Sequence, residues 1–534
     1  MVNLDYLYDP NAAKKSFVEN YLSDKKLGFS VIERGTVLPH KKTIDGKSNR
    51  GQWGFGGIVD DNGKFIKSSH VYSSAGAAYV PEEPIQQSPK TVIYLGMFHS
   101  TWGHVITDNI RRLWFLKSND FKNYFKNCPL VYLICAKKED FNLKSYQSFR
   151  RLLEILEIDV DRLQLIEQPT CFDKIILPDE SFFIDTTRKF TNEYREMIDQ
   201  IRDFALKNRT PISSKKLYFF YGNIQIGEER LAEYFKSKGY EIITHEQRAD
   251  FDEELNLLAN CESFASTLGS CAMNSLFLRD GTETIFIPRG ARKITSYQKP
   301  INQLCSLNAN YIDSTLSLFH RQNCFIISKQ LKNFFGDKFD GYTEDDFKIF
   351  LQYVKNCNDN GFLFNLVENY RAILPDFMEQ LNRREDLIAS YNMPTGWDKF
   401  RPLINYRTYV AKKGWCPWQT ENQSSNPPDQ KLYIQALRIN FVAHKVYCSV
   451  YYDEDDGWSA EVATPETFGT PGKRKSITGI KIRLDAADEK KYDILYRVHK
   501  FDGAWTPWAK NGEELLSQGI ALNAIQIKLE TKRT

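Results

Sequence analysis

His104 and Asp108 stand four residues apart in the run Phe98-His99-Ser100-Thr101-Trp102-Gly103-His104-Val105-Ile106-Thr107-Asp108. On a helix that spacing puts an imidazole and a carboxylate on one face, within reach of each other. A carboxylate beside a histidine fixes its tautomer and raises its basicity, which suits a general base near neutral pH. Arg112 follows Asp108 by four residues, where it would bind phosphate or hold Asp108 ionised. The plainer alternative is a helix start with a capping histidine and an ordinary Asp–Arg pair.

A second candidate lies where Ser263-Phe264-Ala265-Ser266 runs into Thr267-Leu268-Gly269-Ser270-Cys271-Ala272-Met273-Asn274. Small residues at a strand-to-helix turn let a diphosphate approach backbone N–H groups at the positive helix end. Ser270 as a simple N-cap explains the turn equally well. Arg289 and Arg292, just after the next apolar strand, are candidates to neutralise leaving phosphates, or else solvated surface residues. No metal is expected: Asp159-Val160-Asp161 reads as a loop turn, and Asp453-Glu454-Asp455-Asp456-Gly457 lacks the spaced ligands of a calcium loop.

The elements that would position these groups follow from hydrophobic period. Residues 1–90 carry short alternating stretches rich in Gly and aromatics, a pattern of strands and tight turns. From about 91 to 330 apolar runs alternate with helical patterns, which predicts βαβ units and a parallel sheet. In order these are strand Thr91–Met97, helix Gly103–Leu116, strand Leu130–Cys135, helix Tyr146–Leu156 and strand Lys174–Leu177. A long helix, Thr191–Lys207, precedes a polar hinge. The second series is strand Leu217–Tyr221, helix Glu228–Lys238, strand Glu241–Thr244, helix Phe251–Asn260, strand Ser263–Ser266, helix Ser270–Phe277 and strand Thr284–Ile287. Two α/β halves around a cleft suit a ligand bound between them.

Beyond Arg401-Pro402 three segments share one pattern: Tyr406–Phe441, Val446–Leu484 and Tyr492–Leu529. Each has a Tyr-rich strand, a turn tryptophan (Trp415, Trp458, Trp505) and a closing apolar strand. A period of roughly 40–50 residues marks units that bury their faces only by stacking on their copies. The tryptophans read as threefold-related core packing in preference to sugar binding. The expected domains are 1–207, an acceptor-side α/β half; 208–330, a nucleotide-sugar-binding α/β half; 331–400, a helical segment packing back on them; and 401–534, an all-β module of three repeats with prism or trefoil-like closure.

Composition bounds the partners. The 534 residues are 42% hydrophobic and 26% charged, enough apolar material for several large cores. Lys and Arg number 71 against 68 Asp and Glu, so the net charge is +3 and no nucleic-acid partner is expected. Lys473-Arg474-Lys475 is a solvated turn or a point of peripheral membrane contact. Apolar runs fall short of the about 20 residues a spanning helix needs. The start, Met1-Val2-Asn3-Leu4-Asp5, lacks a basic stretch followed by an apolar one, so no signal peptide is expected. Ten cysteines without a Cys-x-x-Cys pair read as reduced thiols, and the expected location is cytoplasmic, extending to the inner face of the cell membrane.

Taken together, Trp102–Leu113 and Gly269–Phe277, with Gly281-Thr282 and Phe251-Asp252-Glu253-Glu254, resemble glycosyltransferase family 61 over roughly residues 50–300. The resemblance implies a GT-B fold and inverting, metal-independent transfer from a nucleotide sugar, usually a UDP-sugar. It assigns His104 or Asp108 as base, Arg112 as a supporting group, and Gly269, Ser270 and Asn274 to the donor site, to which the residue reading adds Arg112 and Arg289 as phosphate partners. The chain departs from the family pattern at Leu268, Phe286 and Tyr221. The C-terminal segments resemble the tryptophan-containing repeats of clostridial surface proteins. The function expected from both is transfer to a glycan or lipid-linked acceptor in bacterial capsular polysaccharide synthesis. The alternative is a carbohydrate- or partner-binding protein on a degenerate transferase scaffold; homo-oligomers are compatible with either.

Overall fold

The computed structural model describes residues 2–7, 19–41, 43–44, 47–48, 54–69, 78–134, 143–182, 188–222, 225–248, 250–289, 297–319, 322–362, 375–391, 404–427, 432–441, 445–455, 457–464, 466–501 and 503–532. The chain is mixed α/β and divides into two compact units. The first holds Met1–Thr315 and Cys324–Gly341; the second holds Leu316–Asn323 and Tyr342–Thr534. Among the described residues no helix is long and apolar enough to cross a membrane.

The first unit contains two large sheets and a two-stranded ribbon of Thr43–Ile44 with Lys47–Ser48. One has seven strands in the order Phe65–Ile66, Phe55–Val59, Phe29–Lys41, Thr170–Pro178, Gln86–Phe98, Leu130–Ile134, Leu163–Ile166. Its last four strands run parallel, and Phe29–Lys41 joins them antiparallel through Thr170–Pro178. Continuous apolar runs explain the parallel part, because both of its faces are covered. Ile93, Leu95 and Phe98 enter one core, while Val92, Tyr94 and Met97 enter another on the opposite face.

The other sheet is wholly parallel, in the order Val2–Asn3, Asn308–Tyr311, Glu283–Ile287, Ser263–Thr267, Lys216–Phe219, Glu241–Ile243. Its edge strand Val2–Asn3 comes from the extreme N-terminus, so the stretch 1–207 contributes to both sheets. Two residues give too little alternation to betray such a strand. The helix Asn192–Asn208 ends next to the hinge. One core of buried residues joins the two sheets, taking Phe98 and Tyr132 from one and Phe219, Phe264 and Phe286 from the other.

In the second unit, Thr343 and Asp346 form a capping box that starts the helix Glu344–Asp359. The helix Lys329–Phe334 belongs to the first unit, so the stretch 331–400 is divided between the two.

The C-terminal part of the second unit has three small antiparallel sheets over one buried cluster. Ile404–Val410 pairs with Ile434–Phe441, Val446–Tyr452 with Gly479–Leu484, and Tyr492–Lys500 with Leu522–Thr531. Each sheet is completed by the segment that follows. Phe468–Gly469 extends the first sheet and Leu515–Leu516 the second. The circle closes backward, since Asn422 and Ser425 donate backbone bonds to Ile527 and Ile525 of the third sheet at 3.0 and 2.9 Å. Trp415, Trp458 and Trp505 are only half-buried and lie outside the buried cluster. The expectation that they fill the core is therefore corrected: the centre is aliphatic, with Tyr406 and Tyr496.

Candidate functional site

The strand Gln86–Phe98 leaves the sheet into a single helical turn, Trp102–Val105, rather than the long helix that 103–116 predicts. Non-helical turns follow until the 3₁₀ segment Leu113–Lys117. Asn109 sets this path by clamping the backbone of His99 from both sides, with two bonds of 3.0 Å. The clamp brings the His99 and His104 rings to 4.9 Å.

His104 Nδ1 is hydrogen-bonded to Asp108 Oδ2. Tyr297 donates its hydroxyl to both oxygens of Asp108, at 3.1 and 3.0 Å, and Arg111 lies 3.7 Å from Oδ1. Burial alone would push the Asp108 carboxyl up, but the bond to His104 and the charges of His104 and Arg111 hold it below its usual value. Burial, with the His104 charge second, drops His99 to about 3, so the stacked neighbour is neutral. With Nδ1 directed at the Asp108 carboxylate, the favoured tautomer is the one that leaves Nε2 as the basic nitrogen. Asp108 is fully buried while the His104 side chain is 22% exposed. Of the two, only the His104 side chain reaches solvent.

Arg112 does not share this site. The helix ends at Val105, so the four-residue spacing from Asp108 no longer keeps both on one face. Its guanidinium is buried and bonds to the carbonyls of Pro178 and Ser68 and to Glu180, the last at 2.8 Å. Arg111 takes the place expected for Arg112 beside Asp108.

Gly269 adopts φ +139°, a region closed to other residues, and a Cβ there would come within 2.9 Å of the Arg289 guanidinium. Arg289 lies flat over Tyr221 at 4.0 Å and bonds Thr267 Oγ1 at 3.3 Å. Asn274 is fully buried, and its Oδ1 accepts from the Trp102 indole N–H at 2.7 Å. This bond ties the Gly269–Asn274 segment to the His104 segment. Gly103 permits the same approach, since a Cβ there would meet Met273 Sδ at 2.7 Å and Ser270 Oγ at 3.0 Å.

Beside this junction lies a cleft of about 390 Å³. Ser100, Thr101, Trp102 and Lys144 line one side; Tyr221, His245, Arg248, Glu254 and Ser270 line the other. Lys144 Nζ reaches the His245 carbonyl across it at 3.3 Å. Arg248 is held by the carbonyls of Thr244 and Phe220, at 3.2 and 3.0 Å, and lies over the Phe219 ring. Glu254 is 5% exposed and its Oε1 has no hydrogen-bond partner. Burial lifts its pKa to about 7 against the opposing charges of Arg248 and Lys144. Behind Arg289, burial lifts Glu228 to about 7 as well.

Of the site residues expected from sequence, only Ser270 lines the cleft; His104, Asp108, Gly269, Asn274 and Arg289 are not part of its lining. Arg292 lies outside the described residues. Sequence reasoning missed Lys144, His245, Arg248 and Tyr297, which have no local pattern. The only hint of Glu254 was its place in Phe251-Asp252-Glu253-Glu254. The chain matches no protein-family model and no curated protein.

Proposed function

We propose that this chain is an inverting glycosyltransferase that takes a sugar from a nucleotide-sugar donor, most simply a UDP-sugar, to a glycan or lipid-linked acceptor. The observation that carries the reading is the Trp102–Asn274 junction, where the two motifs resembling glycosyltransferase family 61 meet beside a cation-lined cleft. The wholly parallel sheet and the four-strand parallel part of the seven-stranded sheet support a GT-B-like arrangement. The cyclic exchange of short strands supports reading the C-terminal sheets as three repeats closed like a prism.

In the proposed reaction His104 Nε2 takes the proton of the acceptor hydroxyl as its oxygen bonds to the anomeric carbon. The bond from that carbon to the donor phosphate breaks on the opposite face, and its electron pair leaves with the nucleoside diphosphate. Asp108, positioned by Tyr297, stabilises the imidazolium that forms. Lys144 and Arg248 offer positive charge to the leaving diphosphate, and Ser270 a hydroxyl. We assign no metal to these steps. Work on capsular polysaccharide at the inner membrane face fits the resemblance.

The test is a thermal-shift panel of UDP, GDP, CMP and dTDP, each with and without EDTA. Ligand at about 100 times its Kd stabilises the folded state by about 2.7 kcal/mol. A shift with one nucleotide that survives EDTA is the expected result and names the donor class. No shift with any of them overturns the reading and favours a binding protein on a transferase-like scaffold.

A further inference from the structure

The outer faces of the first and third C-terminal sheets carry the same unusual cluster. Arg407 lies over both Trp415 and Trp418, with its guanidinium carbon 4.7 and 4.8 Å from the ring centroids. Arg438, its cross-strand partner, lies over Trp415 at 4.8 Å. In the third sheet Arg497 lies over Trp505 and Trp508 at 5.0 and 4.7 Å, with Lys528 over Trp508 at 5.0 Å. The second sheet carries only part of the arrangement, with Lys481 over Trp458 at 4.6 Å. Ser449 stands where Arg407 and Arg497 do, two residues before the partner of the turn tryptophan, and Glu461 replaces the second tryptophan. There Lys481 pairs with Glu514, and Glu461 with Arg483.

Stability alone does not account for the first cluster. Two guanidinium groups sit side by side, and burial together with the Arg438 charge lowers the pKa of Arg407. The buried Nε of Arg407 and indole N–H of Trp418 have no acceptor, which disfavours the folded arrangement. Arg438 donates Nε to Thr467 Oγ1 at 2.8 Å, and Arg497 donates its own to Gln526 at 2.7 Å. No carboxylate among the described residues pairs with Arg407, Arg438 or Arg497.

Each guanidinium carbon lies within cation–π range of its indoles, and the terminal N–H groups remain as donors for a carboxylate. The half-buried indoles beside them offer the flat apolar surface on which a pyranose ring lies. Two such sites on one closed module suit a ligand whose carboxylates recur along a chain better than a single acidic group. We propose that the first and third C-terminal sheets form a two-site platform for a carboxylate-bearing polysaccharide, a polyuronate, centred on Arg407/Arg438 with Trp415 and Trp418, and on Arg497 with Trp505 and Trp508. The proposal is independent of the transferase reading, since none of these residues belongs to the first unit.

The full chain is titrated by calorimetry with polygalacturonate and with its methyl ester, which keeps the sugar rings and removes the charge. The acid form should bind at least about tenfold more tightly than the ester, with affinity falling as salt is raised. Arg438→Gln and Trp418→Phe should each weaken binding several-fold at unchanged melting temperature, whereas Lys481→Gln in the second sheet should leave it intact. Equal binding of acid and ester overturns the proposal. So does a lowered melting temperature with unchanged binding in Arg438→Gln, which would make the ladder purely structural. Absence of polyuronate binding by a folded chain also overturns it, including the case in which vesicles of anionic lipid bind instead. A negative nucleotide panel leaves this test untouched, so the two readings fail separately.

Discussion

At the scale of single residues, the arrangement around Asp108 separates a base from the groups that hold it. His104→Ala should lower turnover by about 10²–10⁴-fold and leave nucleotide affinity near normal, as a lost general base does; steady-state rates and a binding titration on one preparation check it. Tyr297→Phe removes a hydroxyl that serves both oxygens of Asp108. Its effect should appear in kcat rather than in nucleotide Kd, with about 1 kcal/mol of lost stability. Glu254 should respond to pH with a definite sign. Its folded pKa of about 7 lies above its ordinary 4.5, so the native state holds the extra proton between those values. The stability it contributes is complete below pH 4.5 and is lost as pH rises through 7. His99, lowered from 6.5 to about 3, acts oppositely: its contribution is complete above 6.5 and falls as the medium acidifies toward 3. Glu254→Gln should therefore gain melting temperature relative to wild type more at pH 8 than at pH 4; melts at the two values decide it, and a uniform difference would contradict the raised pKa.

At the scale of elements, the junction between the two motifs is a measurable coupling. Asn274→Ala leaves the Trp102 indole N–H facing a lost acceptor, at a cost of about 1–3 kcal/mol. Trp102→Phe removes the donor instead. The double variant should cost less than the sum of the two, and a double-mutant cycle in urea measures the difference; strict additivity would show that the bond does no work. Why some of this was legible follows from period. Phe251–Asn260 reads directly from helical spacing, and the structure adds an Asp250 cap whose side chain accepts from the backbone N–H of Asp252 and Glu253. The strands Leu130–Ile134 and Glu283–Ile287 read from short apolar runs. The stretch 103–116 misled because its apolar residues repeat as a helix would, while the Asn109 clamp and the Arg112–Glu180 pair, both non-local, break it into turns. Tyr297 and Arg248 reach the site from far along the chain, and no spacing rule links them to His104.

At the scale of the whole molecule, the C-terminal sheets share their edges around a ring. Truncation before Leu515 removes the strand completing the second sheet and the Ile525 and Ile527 carbonyls that receive Asn422 and Ser425. All three sheets should then lose protection together, which limited proteolysis of the shortened chain would reveal; a resistant fragment spanning 404–484 would contradict it. The same closure sets an order of events during synthesis. Ser425 emerges from the ribosome long before its partner Ile525, a separation of 100 residues. At about 5–20 residues per second that is a wait of some seconds. Through that interval the growing chain carries an unfinished ring with an open edge, sealed only once Leu522–Thr531 has been made.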